Sequence, residues 1–244
     1  MTAHWRVIVS IKFALLSTTL LTATTIGADA KQVSFDPQTG SAVFEIRNLS
    51  NKDITAFNVS TTAVYADGKT RNSERMVDLL PAMMSKIDAG NLSPGSGALH
   101  PGATQQERIG NPPSIGESNP LRSVDGLVDV IVYADGSGDI RNRAAFERIA
   151  SERHARSNTI ARVSQILSKH TDEQDPIRAS KNDLQSLLSE AETHPQELES
   201  TEILATLDDL QHEPKDVTAR DFLVRYADQK QKHVALAAAS VPKE

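Results

Sequence analysis

The hydrophobic period of this chain changes once, near residue 140, and that change constrains the fold more than any motif does. Before it, apolar residues return at every second position. Ala42, Phe44 and Ile46 alternate with Val43, Glu45 and Arg47, the pattern of a strand with one buried face. After it, Phe146, Ile149, Ala150, Ile160, Val163 and Leu167 fall on one helical stripe, interrupted by Arg153 and Ser157. Strands followed by helices, rather than alternating with them, make a segregated α+β chain. Residues 31–140 are expected to form a β domain and 141–244 an α-helical region, two separate folding units with one long helix opening the second.

In the front half, Asn48 to Asp53 supply turn residues, and Phe57, Val59, Ala63 and Tyr65 continue on one face of the next strand. That strand runs into Val64-Tyr65-Ala66-Asp67-Gly68, and the same five residues return as Val132-Tyr133-Ala134-Asp135-Gly136. Asp-Gly suits a tight turn, because glycine accepts positive φ and the aspartate side chain bonds nearby backbone. The two copies are expected to be equivalent strand ends at the same end of a sandwich. Val128, Val130 and Val132 on one face, with Leu127, Ile131 and Tyr133 on the other, predict a strand covered on both sides. About 110 residues with several short strands fit an immunoglobulin-like or fibronectin type III-like antiparallel β-sandwich. The likeness is architectural and carries no activity.

Between Pro81 and Ser123 the chain fills with Gly, Pro, Ser and Asn, as in Asn91 to Gly97 and Asn111-Pro112-Pro113. Thr104 to Ile109 is expected to insert one polar edge strand. Val77, Leu80, Met84 and Ile87 have helical spacing and predict a short helix covering the sandwich. Met76, Met83 and Met84 read as flexible core filling, with an adaptable binding patch as the alternative.

The long helix should end near His170, before the linker-like Thr171 to Pro176. Pro176, Pro195 and Pro214 then fall 19 residues apart, each followed by an acid and two apolar residues at fixed offsets: Asp183, Leu184 and Leu188; Glu202, Ile203 and Leu207; Asp221, Phe222 and Tyr226. Three short helices are expected there. Ser180 with Asp183, and Thr218 with Asp221, resemble capping boxes, and Val217 with Phe222 has staple spacing. Residues 141–169 hold seven basic and two acidic residues, whereas 170–214 hold two basic and twelve acidic. Docking of the acidic helices on the basic one is the expected use of that contrast. The alternative is that Arg141, Arg143, Arg148, Arg153, Arg156 and Arg162 form a face for an anionic envelope surface or nucleic acid.

The first thirty residues address the chain. Arg6 and Lys12 precede or border an apolar run from Phe13 to Leu21, and Ala28-Asp29-Ala30 follows with small residues at the outer positions. Charge, apolar centre and an A-x-A end are what a secretory signal requires, so residues 1–30 are expected to be cleaved and the mature chain to start at Lys31. The apolar run is shorter than the roughly 20 residues of a spanning helix, so no integral membrane protein is expected after cleavage. The remaining 24 basic and 31 acidic residues disfavour non-specific nucleic-acid binding. No cysteine is present, which removes thiolate chemistry and favours a bacterial periplasmic or secreted protein over a disulfide-stapled animal ectodomain. Trp5 leaves with the signal, and the few remaining aromatics weaken a sugar-binding reading.

Local catalytic signals are missing. His100, His154, His170, His194, His212 and His233 are never closer than sixteen residues, so no helix presents the i, i+4 pair of a HExxH zinc site. No GxSxG elbow or phosphate-loop glycine pattern occurs, and the one SxxK, Ser240 to Lys243, lies in the tail. Asp135-Gly136-Ser137-Gly138-Asp139 spaces carboxylates like a calcium loop, but Ile140 and Phe146 stand where the glycine and acid of that loop belong. A turn joining the last strand to the long helix is the better reading. No cofactor, metal site or specific catalytic residue is assigned. The expected function is an exported non-enzymatic binding or envelope-interaction module whose partner is a protein or an envelope component. The alternative is a secreted or periplasmic hydrolase whose site assembles in space around residues such as His100 and nearby acids.

Overall fold

Among the described residues, alternating burial in the front half produces seven strands, and the helical stripe behind them produces four helices plus one short helix inserted earlier. The structure, a computed structural model, describes residues 26–37, 39–90, 96–110, 120–212 and 217–243. Most of the expected signal, the clusters at 91–95 and 111–113, and Pro214 lie outside the described residues. In chain order the elements are β1 (Ala28–Asp36), β2 (Ser41–Asn48), β3 (Ile54–Tyr65), β4 (Thr70–Asp78), α1 (Leu80–Asp88), β5 (Thr104–Gly110), β6 (Leu121–Tyr133), β7 (Gly138–Ile140), α2 (Arg143–Lys169), α3 (Pro176–Thr193), α4 (Ser200–Asp209) and α5 (Ala219–Ala239). Two antiparallel sheets result, ordered β1-β2-β5 and β4-β3-β6-β7. They share one apolar core in which Ala42, Phe44 and Ile46 of β2 meet Phe57, Val59, Ala63 and Tyr65 of β3 and Val124, Val128 and Ile131 of β6. The polar strand expected at 104–109 is β5, at the edge of the smaller sheet.

The expected faces of β6 need correction. Asn58 pairs with Val130 but Val59 pairs with Val128, so Asp129 is an extra residue in the ladder. Such a bulge rotates the strand and changes which side chains face the core. Val128 therefore joins Ile131 and Tyr133 between the sheets, Val130 and Val132 turn to the outer side, and Leu127 is exposed. The bulge also fixes where the long helix starts. Buried Asp129 accepts from Asn58 Nδ2 at 2.8 Å and Asn142 Nδ2 at 3.1 Å, and its carbonyl accepts the Arg141 and Asn142 N–H groups. Asn142 in turn caps α2, its side chain accepting from the Ala145 N–H.

The two Asp-Gly segments are equivalent turns. In each, the glycine N–H bonds the tyrosine carbonyl three residues back, at 2.9 Å for Gly68 and 3.0 Å for Gly136. The aspartate accepts the N–H two residues on, at 3.0 Å from both Lys69 and Ser137. They sit at opposite ends of the larger sheet, not at the same end, because β3 and β6 are antiparallel and Ile54 lies opposite Tyr133 while Tyr65 lies opposite Leu121. The second turn leads into β7 rather than directly into the long helix. Gly68 and Gly136 have φ of 82° and 81°, a region that β-branched residues tolerate poorly. Replacing either with Val is expected to cost more than about 1 kcal/mol of unfolding stability. The larger loss is expected at Gly136, where an added Cβ would also meet the Val241 carbonyl at 3.1 Å. Denaturant midpoints equal to wild type would refute both.

Helix α1 does not cover the sheets. Leu80 and Met84 pack with Ile160 of α2 and Ala237 of α5, and Pro81 stands in the first turn of the helix, where its missing N–H costs nothing. Along α2, Ala145, Phe146 and Ile149 lie against Ala56, Val130 and Val132 of the larger sheet. Further on, Val163 and Leu167 join Leu184, Leu187, Ile203, Leu207 and Leu223 of the later helices. Arg153, which interrupts the stripe in sequence, is fully buried between those two patches. Helix α2 ends at Lys169 with His170 as its cap, as expected. Asp175 caps α3 and Pro176 occupies its first turn, so Ser180 lies inside the helix and is not a capping residue. Thr218 does cap α5, accepting the Asp221 N–H at 3.1 Å. No described helix is long and apolar enough to cross a membrane.

Candidate functional site: a charged cleft between helices

The acidic segment is folded over the basic helix, and one of its ion pairs helps to wall a cleft between helices. Lys169 bonds Asp183 at 2.8 Å, Arg162 grips Glu190, and Arg156 takes Glu199 through Nε at 2.7 Å and Nη2 at 2.9 Å. Arg148 and Arg143 pair with Glu74 and Glu147. Arg153 donates inward to Thr55, Ser240 and Asp78. The arginine face that was the alternative, an anion-binding surface, is thus largely occupied by the chain's own carboxylates and carbonyls. The Glu199 bond holds the Arg156 guanidinium above its ordinary range despite burial.

Where α4 begins, its first N–H groups need partners. The Glu199 N–H finds the buried Thr159 hydroxyl at 2.7 Å, and that hydroxyl donates to the Ala155 carbonyl. This contact places α4 beside α2 and leaves a cleft of about 310 Å³ between α1, α4 and α5. Three pairs form its walls. Lys230 Nζ reaches Glu202 at 2.7 Å, with both side chains largely buried. His233 Nε2 meets Asp88 at 2.7 Å. Arg156 and Glu199 close the third side. Lys230 also lies 5.1 Å from the centre of the Tyr226 ring, a cation–π distance. The Tyr226 hydroxyl donates to Asp209, and burial followed by that hydrogen bond pushes the phenol well above its usual range. Asp88, Glu199, Glu202 and Asp209 outnumber Arg156 and Lys230, so the cleft favours a polar or cationic group.

The histidines stay apart. His100 pairs with Asp53 at 2.8 Å on the surface. His154 is exposed, His194 bonds Thr193 and His212 bonds the Asp208 carbonyl. Among the described residues, no group of three or more His, Asp or Glu is placed to hold a metal ion. The calcium-like loop is used as a turn: Asp135 bonds Lys52 and Ser137, and Asp139 bonds Tyr133 and Gly27. Met83 and Met84 are buried, as core filling would have them. Sequence reasoning missed Asp88, Glu202, Lys230 and His233. A signal existed on α5, where Tyr226, Lys230 and His233 occupy a buried stripe with Leu223 and Ala237. Polar residues at core spacing mark a site or a buried pair.

His170 closes the junction of α2 and α3. Its nearly buried ring bonds Asp183 at 2.8 Å and Glu173 at 2.6 Å. Burial works against the charged ring, but the two carboxylates outweigh it and raise the pKa. A raised folded-state pKa contributes stability that is complete below the unfolded value of about 6.5 and is lost as pH rises through the folded value. The wild type should therefore lose stability relative to His170→Gln as pH rises above about 6.5. Parallel pH profiles of the two denaturant midpoints would refute this.

The chain matches no known protein family and no curated protein. Among solved structures it is similar to a hypothetical protein from Peptoclostridium difficile 630, at 15% identity over 51% of this chain and 90% of that one. The TM-score of that likeness is 0.28, too low to carry an argument about fold or function.

Proposed function

We propose that this is an exported, non-enzymatic binding protein whose helical cleft receives a protein or envelope component outside the cytoplasm. The observation that carries the reading is the cleft wall, where Lys230–Glu202, His233–Asp88 and Arg156–Glu199 tie the nitrogen-bearing side chains to carboxylates. Groups fixed in this way suit recognition by a preorganised surface. A nucleophile activated by a neighbouring base needs a different arrangement. The carboxylate excess favours a basic side chain or amine on the partner. The N-terminal charge, apolar run and small residues support export to the periplasm or beyond. The sheet orders β1-β2-β5 and β4-β3-β6-β7 support an immunoglobulin-like or fibronectin type III-like sandwich as the platform.

One observation favours a hydrolase instead: Ser85, Asp88 and His233 line the same cleft. If the chain hydrolyses a substrate, this trio is a better candidate than His100. The experiment is capture of partners from the native envelope by wild type and by a Thr201→Arg, Ala205→Arg variant that blocks the cleft. Loss of a captured component with the fold intact is the expected result, and unchanged capture would sink the cleft reading. Turnover of ester or peptide substrates that disappears in His233→Gln would replace it with the hydrolase.

A further inference from the structure

We infer that the mature chain retains Gly27 to Ala30 and that its leader is removed after Ala23, not after Ala30. This rests on the export reading above. The A-x-A residues that look like the end of a leader are the opening of β1: Ala28 pairs with Asn48, Asp29 with Arg47 and Ala30 with Ile46. Ala28 is 4% exposed and belongs to the core between the sheets. A cut before Lys31 would remove three of the nine residues of the strand.

Gly27 is built in still more tightly. Its carbonyl accepts the Leu49 N–H at 2.8 Å and the Ser50 N–H at 3.0 Å. Its own N–H donates to Asp139 Oδ2 at 2.8 Å, the same oxygen that accepts the Tyr133 hydroxyl at 2.7 Å. A Cβ at this position would lie 2.1 Å from the Tyr133 hydroxyl oxygen, so any larger residue would have to displace that hydroxyl from Asp139. Gly27 thus joins the start of the smaller sheet to β6 and β7 of the larger one. Loss of residues 27–30 would leave two backbone donors and a shared carboxylate without these partners, and such groups are costly to leave unpaired.

A signal peptidase reads the extended chain before it folds, so the folded strand does not protect the bond; the structure identifies which cut leaves a complete domain. The enzyme needs a small residue next to the scissile bond, after an apolar run. Leu21-Thr22-Ala23 places alanine there, with an aliphatic residue at the outer position. Hydrolysis of the Ala23–Thr24 bond by the host peptidase consumes one water and leaves a carboxylate on Ala23 and an ammonium on Thr24. Every residue from Gly27 onward is then kept.

N-terminal sequencing and intact mass of the protein from its native host decide the point. A start at Thr24 is expected, and any start from 24 to 27 upholds retention of Gly27. A start at 28 or later, Lys31 included, overturns the inference while leaving export intact. An unprocessed Met1 chain in the cytoplasm overturns the export reading itself. Two variants locate the bond independently: Ala23→Leu should accumulate precursor, and Ala30→Leu should be processed like wild type. The reverse pattern would return the cut to Ala30.

Discussion

Replacing Arg153 with alanine is expected to lower unfolding stability by about 3–5 kcal/mol, the range for removing one partner from a buried charge cluster. The guanidinium is fully buried and serves three separate segments. It donates to the Thr55 hydroxyl at 3.0 Å and the Thr55 carbonyl at 2.6 Å on β3, to the Ser240 carbonyl at 2.7 Å behind α5, and to Asp78 at 2.7 Å at the end of β4. Ser240 caps the C-terminal end of α5, where the carbonyls carry the negative end of the helix dipole and favour a cation. Alanine would take a donor from each of these acceptors, although Leu79 N–H stays on the Thr55 carbonyl and Arg156 on Asp78, and under-satisfied buried groups account for most of the loss. Arg153→Lys keeps the charge but not the planar fork, so an intermediate loss is expected. Denaturant melts with unchanged slope provide the measurement. A loss below about 1 kcal/mol for the alanine variant would show that solvent or neighbours replace the arginine. The effect should reach the cleft, because Asp78 also bonds Arg156, which holds Glu199 on the cleft wall.

Arg153 also shows where sequence reasoning stops. Periodicity located β2, β3, the two glycine turns, the edge strand β5 and the end of α2, because each depends on neighbours within a few residues. An arginine on an apolar stripe reads locally as an interruption. Its meaning depends on Thr55, Asp78 and Ser240, far away in the chain, and no spacing rule links them. The bulge at Asp129 was hidden for a similar reason. Val128, Val130 and Val132 alternate without a break, and only pairing with Asn58 and Val59 shows that one residue is extra. The cleft was the least legible feature. Asp88 comes from α1, Glu199 and Glu202 from the start of α4, and Lys230 and His233 from α5. Individually they resemble solvated surface residues. Charge contrast did foreshadow the docking that forms the cleft, since opposite net charges in successive segments attract whatever the detailed pairing.

A chain of residues 24–140 is expected not to fold cooperatively, although the change of period falls at its end. Strands and helices separate at residue 140, but their cores do not. Ala56, Val130 and Val132 form the outer face of the larger sheet, and their cover is Ala145, Phe146 and Ile149 of α2. Burying one large apolar side chain contributes about 1.5–3 kcal/mol. A domain is stable by only about 5–15 kcal/mol in total, so exposing this face removes much of the margin. The same cut strips Asp129 of its Asn142 contacts and leaves Thr55 and Asp78 without Arg153. Such a fragment should give no sharp thermal transition by circular dichroism and should self-associate through the bared sheet. Residues 24–169, which keep α2, should regain a cooperative β signal, although Val163 and Leu167 would then lack the later helices that bury them. In the full chain, Phe146→Ala isolates the apolar part of the argument, with an expected loss of about 3–5 kcal/mol. A sharp transition for residues 24–140 near that of the intact protein would show that the sheets stand alone and that α2 is a passenger on their surface.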